Sequence, residues 1–122
     1  MRYLCLVYFE PGVTKTLGPE ERAALDRDSG GYDVELDSRG HLICAEALRP
    51  VSDAGKVRVR DGRVTTTDGP FAETREVLGG FILIEARDLA EAITLAAGIP
   101  LAKYGSVEVR PIMVFDAPRI GL

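Results

Sequence analysis

Two stretches of the chain are apolar on both of their alternating faces. Side chains along a strand point to opposite sides in turn, so each strand presents two separate sets. In residues 2–9 and again in residues 79–86 both sets are almost wholly apolar. A strand of this kind is stable only when both faces are covered. We therefore expect 2–9 and 79–86 to be central strands of one sheet.

Two helices follow from local start and stop signals. Pro19 suits a first helical turn, and the two glutamates that follow complement the positive helix end. This helix should end at Arg39-Gly40, and Ser29-Gly30-Gly31 should kink or break it, because each glycine costs about 1 kcal/mol relative to alanine. The second helix begins at Asp88, the cap of a capping box, and ends before Pro100.

The clearest turn signal is Asp61-Gly62, which lies between two short alternating runs. A two-residue Asp-Gly turn in this setting predicts a β-hairpin. Val59 should lie opposite Val64, and Val57 opposite Thr66. The other hairpin face carries arginines, among them Arg58, and is either a solvated surface or a small anion-binding patch.

The remaining segments complete a familiar order of elements. Residues 10–17 are predicted as a polar loop, and residues 41–48 and 106–115 as strands. The fold class is therefore α+β: a ferredoxin-like βαββαβ unit with an inserted β-hairpin. Two helices cover only one face of such a sheet, and an apolar face of that size is not normally left in water. We expect a homodimer in which two sheets pack face to face about a two-fold axis.

Composition limits the classes of partner. The length of 122 residues predicts one domain over 1–122, with an ordinary 46% hydrophobic and 28% charged content. The net charge of −4 argues against nucleic acid or an anionic membrane as the main partner. No apolar run reaches the roughly 18 residues that span a bilayer. The apolar start is too short for a secretion signal, so we expect a cytoplasmic protein.

The cysteine and histidine content predicts neither a metal nor a cofactor. Cys5 and Cys44 lie in apolar strand-like runs and are interpreted as buried thiols. With His41 they do not suffice for a closed zinc site. No glycine-rich phosphate loop follows a strand, so no cofactor is expected. Ser106 has no adjacent base, which gives nucleophilic hydrolysis no support.

A charged turn, Asp68-Gly69-Pro70-Phe71-Ala72-Glu73-Thr74-Arg75-Glu76, leads directly into the second apolar strand. Reactive groups on a loop aimed by a rigid strand are typical of a functional site. Asp68 either caps the turn through its carboxylate or acts as a base or ligand anchor. Glu73 and Glu76 form either a carboxylate pair of unequal pKa or a solvated turn.

The remaining expectations concern individual residues. His41 is either exposed or forms an acid–base pair with Asp68 across the sheet. Glu46, inside an apolar strand, either pairs with an arginine such as Arg58 or Arg110 or lines a cavity. Glu108 and Arg110 share a strand face and suit a cross-strand ion pair. The candidate catalytic residues are Asp68 and His41. The candidate ligand-binding residues are Glu46, Asp68, Phe71, Glu73 and Arg58.

Several of these segments together resemble a known family, the DGPF-domain branch of the YCII-related proteins. The resemblance covers nearly the whole chain, and its most specific part is the turn with the Gly-Gly pair that follows it. The segments are Met1-Arg2-Tyr3-Leu4-Cys5-Leu6-Val7-Tyr8, Ala45-Glu46-Ala47-Leu48-Arg49-Pro50, Asp68-Gly69-Pro70-Phe71-Ala72-Glu73-Thr74, Leu78-Gly79-Gly80-Phe81 and Gly105-Ser106-Val107-Glu108-Val109-Arg110-Pro111.

The resemblance implies a bacterial protein with a ferredoxin-like fold and a dimeric α/β-barrel assembly. It implies no firm activity, although members are often encoded near alternative sigma factors, which suggests a transcription-regulator partner. Some YCII proteins have a proposed His–Asp pair. That pair does not transfer here, because the first helix lacks a histidine and Ile99 precedes Pro100.

Two functions are consistent with these observations. The first is a dimeric small-molecule-binding protein with a pocket near the DGPF turn and acid–base enzyme activity. The alternative is a non-enzymatic protein-interaction module linked to transcription regulation. The first predicts a polar-lined cavity, and the second predicts an exposed apolar patch.

Overall fold

A computed structural model describes residues 1–68 and 75–115 of the chain. Its centre is a four-stranded antiparallel sheet, and a separate two-stranded sheet stands beside it. The strands are β1 (Arg2–Phe9), β2 (Leu42–Ala47), β3 (Gly55–Arg60), β4 (Arg63–Asp68), β5 (Val77–Glu85) and β6 (Gly105–Pro111). The helices are α1 (Pro11–Thr14), α2 (Pro19–Ser38) and α3 (Leu89–Ala96), with short 3-10 turns at Val51–Asp53 and Pro100–Tyr104.

The large sheet has the strand order β2-β5-β1-β6. The two strands that are apolar on both faces, β1 and β5, therefore lie in the middle, as the sequence predicts. With β3 and β4 left out, this order and the placement of the helices are those of a ferredoxin-like α+β fold. A central strand has a sheet neighbour on each side, so apolar side chains on both of its faces are at least partly covered. The burial pattern of β1, in which buried and half-buried residues alternate, agrees with this position.

One face of the sheet packs against the helices. Cys5 lies opposite Ile82, and Tyr3 opposite Ile84, so these four side chains share a face. They form one buried cluster with Leu36 of α2 and with the inner side of α3. The hydrophobic core therefore lies between the sheet and the helices.

The other face of the sheet, which we call the open face, is set by the same register. It consists of Leu4, Leu6, Tyr8, Phe81 and Leu83. Leu83 is buried among its neighbours, whereas the other four are only half-buried, and none of the five belongs to the core cluster. An apolar face of this kind is incompletely covered within one chain.

The first helix differs from its prediction in one respect. α2 is continuous from Pro19 to Ser38, so the break predicted at Ser29-Gly30-Gly31 is wrong. Tertiary contacts outweigh the low helix propensity of glycine. Just beyond the glycines, the Tyr32 hydroxyl donates a hydrogen bond to the Leu95 carbonyl of α3, and Leu36 is almost fully buried.

Two loop predictions also need correction. Residues 10–17 contain the short helix α1 (Pro11–Thr14) instead of an irregular loop, because Pro11 pre-sets the first turn. The last strand ends at Pro111, earlier than the predicted 115, because its partner β1 begins at Arg2: the Ile112 N–H still donates to the Arg2 carbonyl, and no strand of the described ranges lies beyond it. The capping box at α3 is present: Asp88 Oδ1 accepts from the Glu91 N–H at 2.9 Å.

β3 and β4 form a hairpin with the predicted pairing. Val59 lies opposite Val64, and the turn residues Asp61 and Gly62 have φ values of 51° and 75°. Both are left-handed, as a type I′ turn requires. Every residue of the two strands is exposed, so the hairpin stands away from the core.

We predict that Leu36→Ala lowers the free energy of unfolding by about 2–5 kcal/mol, because it leaves a cavity in the core. Val34 on the same helix is 69% exposed, and Val34→Ala should change stability by less than about 0.5 kcal/mol. Urea denaturation followed by circular dichroism measures both. Equal effects of the two variants would contradict this description of the core.

Candidate functional site

A cleft of about 190 Å³ opens beside the edge strand β2 on the helix-covered side of the molecule. Its polar lining comes from Ser29, Tyr32 and Asp33 of α2 and from Glu46 of β2. We call it the carboxyl cleft after the Asp33 carboxyl. Glu46 borders the cleft on β2 but lies opposite Phe81, so its side chain belongs to the open face. The apolar walls of the cleft include Val7, Ile82, Ile99, Pro100 and Leu101.

The Gly79-Gly80 pair shapes the floor of this cleft. The register between β1 and β5 shifts at this point, because Val7 pairs with Gly80 while Tyr8 pairs with Leu78. Gly79 is therefore the extra residue of a β-bulge. A Cβ on Gly80 would lie 2.7 Å from the Glu46 carbonyl oxygen. Only glycine lets β2 and β5 approach this closely at the cleft.

Asp33 is the most perturbed carboxyl in the cleft. Burial raises the pKa of Asp33 above its ordinary value of 3.8. The side chain is half-buried, and no hydrogen bond or ion pair joins it to another residue of the described ranges. A carboxyl that is partly desolvated and lacks a structural partner is a candidate general acid or base.

The neighbouring Tyr32 has a structural role. Its hydroxyl donates to the Leu95 carbonyl and so ties α2 to α3. Burial, and secondly the Glu35 carboxylate, raise the pKa of Tyr32. The phenol therefore stays protonated, and its oxygen retains acceptor capacity beside Asp33.

Glu46 lines the carboxyl cleft from the edge strand, where its side chain is exposed. No ion pair with Arg58 or Arg110 is present, and Glu108 and Arg110 do not pair with each other either, within residues 1–68 and 75–115. Glu46 therefore borders the cleft without an arginine partner in this part of the chain, and its role as a ligand-binding residue stays a prediction.

The other predicted site residues lie elsewhere. The His41 Nδ1 is 2.8 Å from the Glu85 carbonyl oxygen. His41 is five residues from Glu46, which is about 16 Å along a strand. Asp68 ends β4 opposite Gly55 and is exposed. No hydrogen bond or ion pair joins His41 to Asp68, two residues that both belong to the described ranges.

The remaining two candidates, Phe71 and Glu73, lie outside the described residues, and Arg58 is an exposed residue of β3. Two polar contacts attach residues 75 and 76, just before β5, to neighbouring segments. The Ser106 hydroxyl donates to Glu76 Oε2 at 2.8 Å, and Arg75 Nε lies 3.3 Å from Glu10 Oε1. The segment that follows the DGPF turn therefore starts at the same end of the sheet as the carboxyl cleft.

Sequence reasoning missed Asp33, although a signal for it was present. Ser29 and Asp33 are four apart, and Asp33 is three before the buried Leu36. Residues at these spacings share a helix face, so Asp33 had to lie near the core side of α2. The predicted break at Gly30-Gly31 hid this spacing, because it divided the helix between Ser29 and Asp33.

The described ranges contain neither a metal site nor a reactive cysteine. They contain no group of three or more His, Cys, Asp or Glu residues placed to hold a metal ion. Cys5 and Cys44 are free, and burial raises the pKa of the Cys5 thiol to about 11, which makes it a poor nucleophile. None of the helices in the described part of the chain combines the length and apolarity needed to cross a bilayer.

Residues 1–116 match the family described as YCII-related domain. The chain belongs to the YCII-related family. A relative from Rhizobium meliloti (strain 1021), itself named as uncharacterised, is 35% identical over 117 residues, which cover 94% of each protein. Membership thus agrees with the resemblance in the quoted segments, and it brings no assigned reaction.

A solved structure with a similar fold is 5-chloro-2-hydroxyhydroquinone dehydrochlorinase (TftG) from Burkholderia phenoliruptrix AC1100, in complex with 2,5-dihydroxybenzoquinone. The TM-score is 0.53 at 14% sequence identity, with 93% of this chain and 94% of that chain covered. At this identity the likeness concerns the fold alone. It agrees with the mixed α+β architecture of a ferredoxin-like or dimeric α/β-barrel protein.

The raised pKa of Asp33 predicts a pH-dependent stability difference. The folded state holds the Asp33 proton more tightly than the unfolded state, so the stabilisation present below the ordinary pKa is lost as the pH rises through the folded value. Asp33→Asn removes this penalty. The variant should melt at a higher temperature than the wild type at pH 7, and the difference should shrink toward pH 4.

Thermal melts followed by circular dichroism measure this difference. Asp26→Asn, at an exposed position of α2, is the control and should show no such pH dependence. If Asp33→Asn were less stable than the wild type at both pH 7 and pH 4, this would contradict the conclusion that burial destabilises the charged form of Asp33.

Proposed function

We propose that this YCII-related protein is a homodimeric small-molecule-binding protein that carries out acid–base chemistry in the carboxyl cleft. The observation that carries the proposal is the half-buried Asp33 carboxyl, which lines the cleft and has no hydrogen-bond or ion-pair partner among residues 1–68 and 75–115. Clefts with apolar walls and a few convergent polar groups are the usual form of a ligand site.

The chemistry follows from the two different environments of the carboxyls. Burial favours the protonated form of Asp33, so this group accepts a proton from a substrate more readily than an exposed aspartate does. Glu46 is exposed on the open-face side of the edge strand β2, and it stays a proposed ligand contact at the rim of the cleft. The apolar walls of Val7, Ile82 and Leu101 fit a small, partly apolar molecule that carries one acidic hydrogen.

A fold neighbour supports this choice of ligand class. TftG is named as a dehydrochlorinase and is solved with 2,5-dihydroxybenzoquinone, a small ring with ionisable hydroxyls. A chain of this architecture can therefore hold such a molecule. For the present protein we propose the same broad class, a small oxygenated compound.

The proposed homodimer rests on the open face. Leu6 and Phe81 are direct neighbours across β1 and β5 on this face and stay only half-buried in one chain. The adjacent edge strand places Glu108 and Arg110 on the same face, opposite Leu6 and Leu4. A two-fold axis brings each patch onto itself, so opposite charges on one face can pair between copies.

The same proposal includes the branch of the family, the domain organisation and the type of assembly. We assign the chain to the DGPF-domain branch on the segment from Asp68 to Glu73 and on Gly79-Gly80. We further propose one domain over 1–122, in which β3 and β4 form an inserted hairpin and two copies form a dimeric α/β barrel. Asp68, with His41, stays a prediction for a second acid–base pair, since Asp68 is the first residue of the DGPF motif.

A second candidate function is a non-enzymatic interaction module that binds a transcription regulator. The observation that favours it is the hairpin, where Val59 and Val64 are 57% and 65% exposed on one face. An exposed apolar patch of this type often marks an interaction site. This candidate requires Val59 and Val64 for binding and does not depend on Asp33.

We predict that a thermal-shift screen of small oxygenated metabolites finds compounds that raise the melting temperature of the wild type. Ligands at 100 times their Kd stabilise the folded state by about 2.7 kcal/mol. The same compounds should give a much smaller shift with Asp33→Asn and with Glu46→Gln, because both variants alter the carboxyl cleft. Asp26→Asn, outside the cleft, should behave as the wild type.

Asp68→Ala in the same screen separates the two proposed sites. An unchanged shift with Asp68→Ala places binding at Asp33 and Glu46. A shift lost only with Asp68→Ala would contradict the carboxyl cleft as the site and favour the pair of Asp68 and His41.

We predict that Leu6→Asp converts the protein from a dimer to a monomer, because it places a charge within the apolar interface of the open face. Light scattering after size exclusion should show twice the 13.2 kDa chain mass for the wild type and the single-chain mass for the variant. Val34→Asp, on the exposed side of α2, should leave the dimer intact. A monomeric wild type at micromolar concentration would contradict the assembly.

A further inference from the structure

A second cleft, of about 380 Å³, lies at the same end of the sheet and has the opposite charge. Three cationic residues line it: Lys15 after α1, Arg22 in α2 and Arg49 after β2. No aspartate or glutamate of the described ranges lines it. We call it the cationic cleft. It is unexpected in a chain whose net charge is −4.

The cations in this cleft keep donors to spare. Arg22 uses one N–H to the Thr14 carbonyl at 2.9 Å, and Arg49 uses its Nε to Asp53 Oδ2 at 3.0 Å. A guanidinium carries five N–H donors, so most remain available to a ligand. The Lys15 ammonium is exposed and makes no hydrogen bond or ion pair within residues 1–68 and 75–115.

The rest of the lining is apolar and comes from different parts of the chain. Phe9, Leu48, Val51 and Leu78 form most of it. A Cβ on Gly79 would lie 2.6 Å from the Phe9 ring, so this glycine is what allows the ring to approach β5 so closely. The cleft thus combines a broad apolar surface with cations that converge from three segments.

From this arrangement we propose that the cationic cleft binds an amphipathic organic anion, a carboxylate or sulfonate joined to an apolar body. The size lies within the range of ordinary ligand sites, and the lining follows their usual pattern of apolar walls with a few placed polar groups. The anionic group meets Lys15 and Arg49, while the apolar body contacts Phe9 and Leu78. The Asp33 carboxyl disfavours the same anion in the neighbouring carboxyl cleft.

The site is independent of the acid–base chemistry proposed above. Gly79 is the one residue that lines both clefts within the described ranges, so substitutions at Lys15 or Arg49 leave the carboxyl cleft unchanged. Binding can therefore be measured without any assay of activity.

The test uses two fluorescent probes of similar shape. 1-Anilinonaphthalene-8-sulfonate has an anionic group on an apolar body, and N-phenyl-1-naphthylamine is its neutral counterpart. The wild-type protein should bind the anionic probe at one saturable site per chain and the neutral probe more weakly. Lys15→Gln/Arg49→Gln should weaken the anionic probe by about tenfold, as expected for lost charge-assisted hydrogen bonds, and should leave the neutral probe almost unchanged.

Two controls make the outcome decisive. Lys103→Gln removes a cation outside the cleft and should leave both probes unaffected. Benzoate should displace the anionic probe from the wild type, whereas inorganic phosphate at the same concentration should not, because it lacks an apolar body. Equal anionic-probe affinity for the wild type and the double variant would overturn the proposal, and so would equal weakening of both probes or displacement by phosphate alone.

Discussion

The structure depends on one imbalance. The two central strands of the sheet are apolar on both faces, but the helices cover only one of these two faces. The covered side holds the core, in which Cys5 and Ile82 contact the helices. The open face around Leu6 and Phe81 has the same pattern without the same cover. Burial of apolar area is the dominant favourable term in association, and the proposed dimer rests on this face.

The proposed ligand site depends on a second feature of the sheet, the edge strand β2. Because β2 is an edge strand, the space between it and α2 is open on one side, and the bulge at Gly79 opens it further. Asp33 reaches this space from the helix. The two clefts on either side of Gly79 then differ in charge: the Asp33 carboxyl lines one and three cations line the other.

The sequence predicted the frame well, because the frame depends on periodicity and on local turn chemistry. The alternation in 2–9 and 79–86 located the central strands, and Asp61-Gly62 located the hairpin turn. The capping box at Asp88 located α3. Each of these signals lies within a few residues of chain, so no knowledge of distant contacts is needed to interpret it.

The candidate site was less predictable, since it depends on contacts between distant segments. Glu46 was noticed because a glutamate in an apolar strand is unusual. Asp33 was missed because the glycines beside it indicated a break, and the hydrogen bond from Tyr32 to Leu95 that holds this part of α2 against α3 is 63 residues away in sequence. Nothing local indicated that Lys15, Arg22 and Arg49 would line one cleft.

The central claim, that a second copy covers the open face, is tested most directly by nuclear Overhauser measurements on a mixture of isotope-labelled and unlabelled chains. Filtered spectra detect only contacts between different chains. The account predicts intermolecular contacts between the methyl groups of Leu4 or Leu6 and the ring of Phe81. Spectra without any intermolecular contact at these residues, in a protein that is otherwise folded, would contradict it.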